Sequence, residues 1–259
     1  MTVVFEHGTL FYGKQNNIDG AFDADINMEV CNRKTNADLT IYLRIHFNPK
    51  NPSSGYRTFY FNKGTQLVQI QKWNPSEWVG WKSKFIRICQ KKWNGRFWLE
   101  TPESYNGLNW PRIHPTHRCN LYCKFRLTEV SSKPDAHFTV DVVHVVDNQY
   151  FQSDMNLYSN NDINDIDPTK SVYRTCYHEV GHLIGLDHPG KGFWPTCITD
   201  REPICYRDPK GNDRGVMGHG SLLFKRHANP WIFAASKLTG VAESDWKVHG
   251  KYIPPQRIK

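Results

Sequence analysis

The segment from His178 to His188 constrains the fold of this chain more than any other feature, because it reads H-E-x-x-H-x-x-G-x-x-H. His178 and His182 lie four positions apart, so on a helix they share one face, one turn above the other. Gly185 allows the chain to leave that helix through a backbone conformation that a side chain would resist. The pattern therefore predicts a helix and a turn that bring three imidazoles together, with His188 as the third.

Three histidines without a fourth protein ligand are typical of a catalytic zinc site. Imidazole nitrogens bind Zn²⁺ at about 2.0–2.1 Å, and a catalytic site keeps one position open for water, whereas a structural site is closed by four ligands. Glu179 follows the first histidine, so it is placed to take a proton from that water rather than to bind metal. We predict one Zn²⁺ per chain, bound by His178, His182 and His188, with Glu179 as the general base.

Two less specific interpretations of the motif remain. One is an ordinary buried helix with incidental histidines, but buried imidazoles need partners and a core helix gains nothing from three of them. The other is a degenerate site that binds zinc without catalysis. Glu179 argues against the second interpretation, because a purely structural site does not need a base at that position.

The motif resembles that of the metzincin clan of zinc endopeptidases, which has a methionine-containing turn beneath the zinc, downstream of the third histidine. The stretch at 215–220 reads G-V-M-G-H-G, and the chain has only four methionines. The resemblance is strong over residues 168–240 and weak before them, and it does not assign the chain to one family of the clan. It implies a zinc endopeptidase in which Met217 packs under the metal without touching substrate.

His219 lies two residues beyond Met217. In some metzincin families that position is a tyrosine that can swing toward the metal. Either His219 supplies a comparable hydrogen-bond donor to the oxyanion, or the role is absent from this chain. A histidine that packs against the turn or bonds the backbone is the alternative.

Hydrophobic periodicity outside the motif predicts the α+β class. The predicted elements are strands at 39–47, 119–130 and 136–147 and helices at 76–93, about 169–187 and 229–239. Their order resembles the upper part of a metzincin, with a twisted mixed β-sheet above the metal, then the Met-turn and a C-terminal helix. The strand at 136–147 is our candidate for the edge strand that pairs with an extended substrate.

The 259 residues are interpreted as one metzincin-like catalytic domain. Residues 1–35 are assigned as an N-terminal extension, made either of extra strands or of a pro-like segment. Residues 36–188 carry the sheet, the first helix and the zinc helix, and 189–259 form the lower part. Hydrophobic residues make up 39% of the chain, and nine residues are tryptophan. This apolar content is enough for a core and too high for a disordered chain.

The seven cysteines leave at least one free thiol. Cys197 and Cys205 flank a proline-containing loop between the third histidine and the Met-turn, and we predict that they form a disulfide if the compartment is oxidising. Cys176 on the zinc helix is interpreted as a small buried apolar residue.

Two further segments superficially suggest metal sites. His114, His117, Cys119 and Cys123 match no structural zinc spacing, and the alternation of 119–130 favours a strand. The acidic stretch 160–167 lacks the glycine of an EF-hand loop, so it is interpreted as a turn that caps the zinc helix rather than as a Ca²⁺ site.

Charge and hydropathy limit the partners. The net charge of +8 comes from short, scattered basic runs without the clustered Lys and Arg of a nucleic-acid surface, so we expect no nucleic acid. No stretch approaches the roughly 18 apolar residues of a membrane span, and no signal peptide is visible at the start.

We expect a protein or peptide substrate, and secretion or delivery to a target cell is favoured over a cytoplasmic location. Two other functions stay open. One is a toxin or effector metallopeptidase, for example from a bacterium, with a dedicated inhibitor or immunity protein as its partner. The other is a zinc amidase that acts on cell-wall peptides.

Overall fold

A computed structural model describes residues 4–12, 20–52, 68–109, 116–146, 151, 153–164, 175–197, 203–211 and 214–258. These residues form a curled mixed β-sheet with few helices, so the α+β class is confirmed. The strands are β1 (Val4–Tyr12), β2 (Gly20–Asn27), β3 (Ala37–Lys50), β4 (Ile70–Gln71), β5 (Phe97–Glu100), β6 (His117–Arg118), β7 (Leu121–Glu129), β8 (Phe138–Val145), β9 (Leu157–Ser159), β10 (Lys247–His249) and β11 (Gln256–Arg257). The α-helices are α1 (Pro75–Trp93), α2 (Thr175–Leu183) and α3 (Asn229–Thr239).

The long strand β3 is the centre of the sheet, whose main path runs β1-β2-β3-β7-β5-β10. It pairs antiparallel with β2 and parallel with β7 over its first part, and parallel with β8 over its last part. Its alternate side chains Leu39, Ile41, Leu43 and Ile45 are fully buried, which confirms the predicted alternation.

Strand β8 lies inside the sheet, so our prediction of a substrate-binding edge strand at 136–147 was wrong. It pairs with β3 along Phe138–Val143 and with β9 along Asp141–Val143, and β4 pairs with its last two residues. The consecutive residues Val142 and Val143 are both fully buried, so both faces of the strand are covered as well. Apolar periodicity identifies a strand, but it does not report how many neighbours the strand has.

Helix α1 packs its aromatic residues into the core rather than forming a ligand cage. Asn74 begins the helix by accepting a hydrogen bond from the Ser76 N–H at 2.9 Å. Trp81 and Trp93 are at most 3% exposed. The Trp93 indole donates to the backbone carbonyl of Tyr177 at 3.1 Å, so α1 contacts α2 directly.

The described part of residues 1–35 includes the two strands β1 and β2, which extend the main sheet. Leu10, Phe22 and Ile26 from these strands are buried in the core. A disulfide between Cys31 and Cys119 fastens this region to the segment that leads into β7, with the two Cα atoms 6.2 Å apart. The described residues therefore match the interpretation as extra strands.

The other predicted elements are found where the sequence places them, as β3, β7, α1 and α3. Helix α2 begins at Thr175, and residues 165–174, which include the predicted cap of the zinc helix, lie outside the described residues. Residues Asn160–Ile163 form a short 3₁₀ helix, begun by Ser159. Of the helices in the described ranges, none combines the length and the apolar composition that crossing a bilayer requires.

Candidate metal centre

The three predicted ligand histidines converge on one point. The Nε2 atom of His178 lies 3.0 Å from that of His188 and 3.2 Å from that of His182, and the remaining pair is 3.2 Å apart. Three corners of a tetrahedron around Zn²⁺ with bonds of 2.0–2.1 Å would be about 3.3–3.4 Å apart. The three nitrogens therefore form a nearly equilateral triangle of the size that a metal ion needs.

Helix α2 ends in a turn that returns His188 to the other two histidines. Gly185 has a φ of 88°, and its N–H donates to the His182 carbonyl at 2.8 Å. The Leu186 N–H donates to the Gly181 carbonyl at 2.9 Å. These two bonds and the left-handed glycine are a Schellman motif, which satisfies carbonyls that a helix end leaves unpaired. The predicted role of Gly185 is confirmed.

Hydrogen bonds on the far side of two rings fix their tautomers. His178 Nδ1 donates to the Val216 carbonyl at 2.8 Å, and His182 Nδ1 donates to the Leu186 carbonyl at 2.7 Å. A carbonyl only accepts, so each Nδ1 carries the hydrogen and each Nε2 of a neutral ring presents a lone pair. Burial and the nearby His182 and His188 lower the pKa of His178 well below its usual value, so this ring is neutral. The Nε2 lone pairs of His178 and His182, whose nitrogens are 3.2 Å apart, repel unless a cation lies between them.

Met217 packs directly against helix α2, between the first two histidines. It is 1% exposed, and a Cβ built on Gly181 would lie 2.3 Å from the methionine sulfur. The Met-turn therefore holds the site through two contacts, the Val216 carbonyl on His178 and the Met217 side chain on the helix backbone. Gly181 leaves the space that the second contact requires.

We expect Gly181→Ala to destabilise the protein by up to about 2 kcal/mol, because overpacking a tight core costs roughly 1–3 kcal/mol and alanine regains only roughly 1 kcal/mol over glycine in a helix. Gly80→Ala in helix α1 is the matched control, since a Cβ there meets nothing within 4 Å. It should stabilise by about 0.5–1 kcal/mol. Urea unfolding measures both changes, and equal stabilisation by the two substitutions would contradict the contact with Met217.

Glu179 directly follows His178 on helix α2 and is largely shielded from water, with 7% exposure. Burial raises the pKa of its carboxyl well above the ordinary value, and the negative charges of Asp162 and Asp154 raise it further. Asp162 accepts hydrogen bonds from the Ser159 N–H at 2.7 Å and from the Ser153 hydroxyl at 2.6 Å. Burial raises the pKa of Asp162 to about 7. The sequence did not connect these acidic residues with Glu179.

A tyrosine that the sequence analysis missed lies between His219 and the triad. The Tyr206 ring centroid is 4.1 Å from that of His188 and 4.4 Å from that of His219, and the rings of Tyr206 and His219 are nearly parallel, with an angle of 13°. His219 is exposed, and the ring of Tyr206 lies between it and His188. The sequence signal for Tyr206 is its position directly after Cys205, which ends the predicted disulfide loop.

The predicted disulfide between Cys197 and Cys205 is present, with the Cα atoms 5.1 Å apart. Cys176 is fully buried, as predicted.

The segment that contains His117, Cys119 and Cys123 does not form a zinc site among the described residues. Cys119 is bonded to Cys31, and Cys123 is a fully buried strand residue. Within the part of the chain that is described, the triad is the only group of three or more His, Cys, Asp or Glu that could hold a metal ion.

Comparisons with protein-family models, with curated proteins and with solved structures gave no significant match. The fold and the site define an α+β protein with three histidines, two buried and one partly buried, that could hold a metal ion on a helix and the turn that follows it.

Proposed function

We propose that this protein is a zinc-dependent endopeptidase of the metzincin type. The observation that carries the proposal is the convergence of three Nε2 atoms within 3.2 Å of one another, on a helix in which the buried Glu179 directly follows the first histidine. Three imidazoles suit Zn²⁺ and leave a fourth position for water or substrate, which is the arrangement of a catalytic zinc site. The packing of Met217 beneath the helix agrees with the resemblance to the clan.

In the proposed reaction, a zinc ion held by the triad would polarise the scissile carbonyl and lower the pKa of a water molecule. The Glu179 carboxylate takes one proton from that water while the oxygen of the water attacks the carbonyl carbon. As the carbon–nitrogen bond breaks, Glu179 delivers the proton to the leaving nitrogen, so that an amine and a carboxylic acid are formed. The Nδ1 hydrogen bonds of His178 and His182 keep their rings in the required tautomer throughout.

His219 is proposed as a hydrogen-bond donor to the carbonyl oxygen as that oxygen gains negative charge. We expect His219→Ala to lower kcat about 10²–10³-fold with little change in KM, because a donor that acts in the transition state is lost. Steady-state kinetics and the melting temperature of the same preparation measure the effect. An unchanged kcat would eliminate this role and leave His219 as a residue that packs on Tyr206.

The two disulfides favour an oxidising compartment, because cytosolic thiols are usually kept reduced. We therefore propose that the protein acts outside the cytosol or after delivery to a target cell. Alkylation in denaturant without prior reduction, followed by mass spectrometry, shows whether Cys31–Cys119 and Cys197–Cys205 are formed in protein isolated from its natural source. All seven cysteines alkylated without prior reduction would contradict this placement.

Hydrolysis of pooled peptides by the zinc-loaded protein tests the proposed activity. We expect new amino termini, suppressed by a zinc chelator and restored by added Zn²⁺. Short cross-linked cell-wall peptides are tested in parallel, because a zinc amidase would use the same triad and base. Cleavage confined to those cell-wall peptides would replace the endopeptidase proposal with the amidase.

A further inference from the structure

We propose that Tyr206 is a positioning residue for the metal ligand His188 and that the Cys197–Cys205 disulfide holds Tyr206 in place. The inference rests on the metal site of the proposed function, but it does not depend on which bond the protein cleaves. It assigns a role to a tyrosine and a disulfide that the proposed reaction does not use.

His188 differs from the other two ligands in its backbone support. His178 and His182 both belong to helix α2, whereas His188 follows the Schellman turn and lies outside the helix. Its ring packs against the ring of Tyr206, with centroids 4.1 Å apart and an angle of 39° between the planes. On its other side Tyr206 is covered by His219 at 4.4 Å. The tyrosine is thus enclosed between a ligand and an exposed imidazole, and it can limit the rotation of the His188 ring.

Tyr206 is itself fixed through the residues on either side of it. The Cys205 carbonyl accepts the Gly190 N–H at 2.7 Å, and the Arg207 carbonyl accepts the Trp194 indole N–H at 3.2 Å. Both donors belong to the segment that directly follows His188. Cys205 is fully buried and is bonded to Cys197, which ends that segment.

Through these contacts His188 is connected to the Cys197–Cys205 disulfide. The segment after His188 holds the backbone of Tyr206, and the ring of Tyr206 packs against His188. Partners that orient metal ligands affect metal affinity strongly, and their removal typically costs about 10–100-fold. The affinity for zinc should therefore depend on the aromatic ring at position 206 and on the disulfide.

The test compares the zinc dissociation constants of Tyr206→Ala, Tyr206→Leu and Tyr206→Phe, measured by competition with a chromophoric chelator. We expect the alanine and leucine variants to bind zinc about 10–100-fold more weakly. Phenylalanine keeps the ring and should bind close to the wild-type value. Tyr252→Leu is the matched control and should bind zinc as tightly as the wild type, because Tyr252 is an exposed tyrosine outside the segment from His188 to Arg207. A Cys197→Ser/Cys205→Ser variant tests the disulfide and should also bind more weakly.

Wild-type affinity in a folded Tyr206→Leu variant would overturn the proposal. A loss in Tyr206→Phe as large as in Tyr206→Leu would also overturn it, since the hydroxyl rather than the ring would then be responsible. Unchanged affinity in the serine variant would remove the disulfide from the account. The visible spectrum of the Co²⁺-substituted protein gives a second readout of ligand geometry. Altered affinities in a protein that cleaves no peptide would refute the proposed function and leave this inference intact.

Discussion

Replacement of His182 by alanine is expected to abolish stoichiometric zinc binding. Its Nε2 lies 3.2 Å from both other ligand nitrogens, so its removal opens one side of the triangle and leaves two imidazoles. Catalytic zinc sites have three protein ligands, and two hold the metal poorly. Metal analysis of the purified protein should find about one Zn²⁺ per wild-type chain and almost none in the variant.

The matched control is His249→Ala, which removes a histidine that bonds Glu100 at 2.8 Å in strand β5, outside the triad. It should retain the wild-type zinc content. The wild-type protein should also melt at a lower temperature after chelation, because a metal that binds only the folded chain stabilises it. Stoichiometric zinc in a folded His182→Ala variant would refute the assigned site.

The second large effect is expected for Glu179→Gln, which should retain zinc and the fold but lower kcat by about 10²–10⁴-fold. Glutamine has nearly the same shape, so the packing around the buried side chain is kept while the ability to accept a proton is lost. Zinc content, melting temperature and peptide hydrolysis are measured on the same preparation.

Asp187→Asn is the control for the loss of an acidic group near the site. Asp187 precedes the third ligand, but its side chain is exposed and bonds Lys191 at 2.7 Å. This substitution should leave turnover close to the wild-type value. If Glu179→Gln cleaved peptides at the wild-type rate, Glu179 would not be the base.

The local parts of the fold and site could be predicted because their signals lie within a few neighbouring residues. Period-two alternation identified β3, and helical periodicity identified α1 and α3. The spacing of the triad and Gly185 predicted a helix and a turn, and the turn has the expected left-handed glycine. Each of these features is determined by backbone geometry over one or two turns of chain.

The parts that could not be predicted depend on pairings between distant segments. The position of β8 inside the sheet is set by β3, β4 and β9, and alternation does not encode these partners. The disulfide between Cys31 and Cys119 spans 88 residues, and seven cysteines allow many pairings. Tyr206 packs against His188 although the two are distant in sequence, and no spacing rule predicts that contact.

We propose that the triad and Glu179 together hydrolyse peptide bonds. The most direct test is to digest a proteome-derived peptide library in H₂¹⁸O with zinc-loaded wild-type protein and with zinc-loaded Glu179→Gln, followed by mass spectrometry of the new termini. We predict cleavage by the wild-type protein, with one ¹⁸O in each newly formed carboxyl group, and cleavage reduced by about 10²–10⁴-fold in the variant. The absence of new termini with the zinc-loaded wild-type protein, or equal cleavage by the two proteins, would contradict the account.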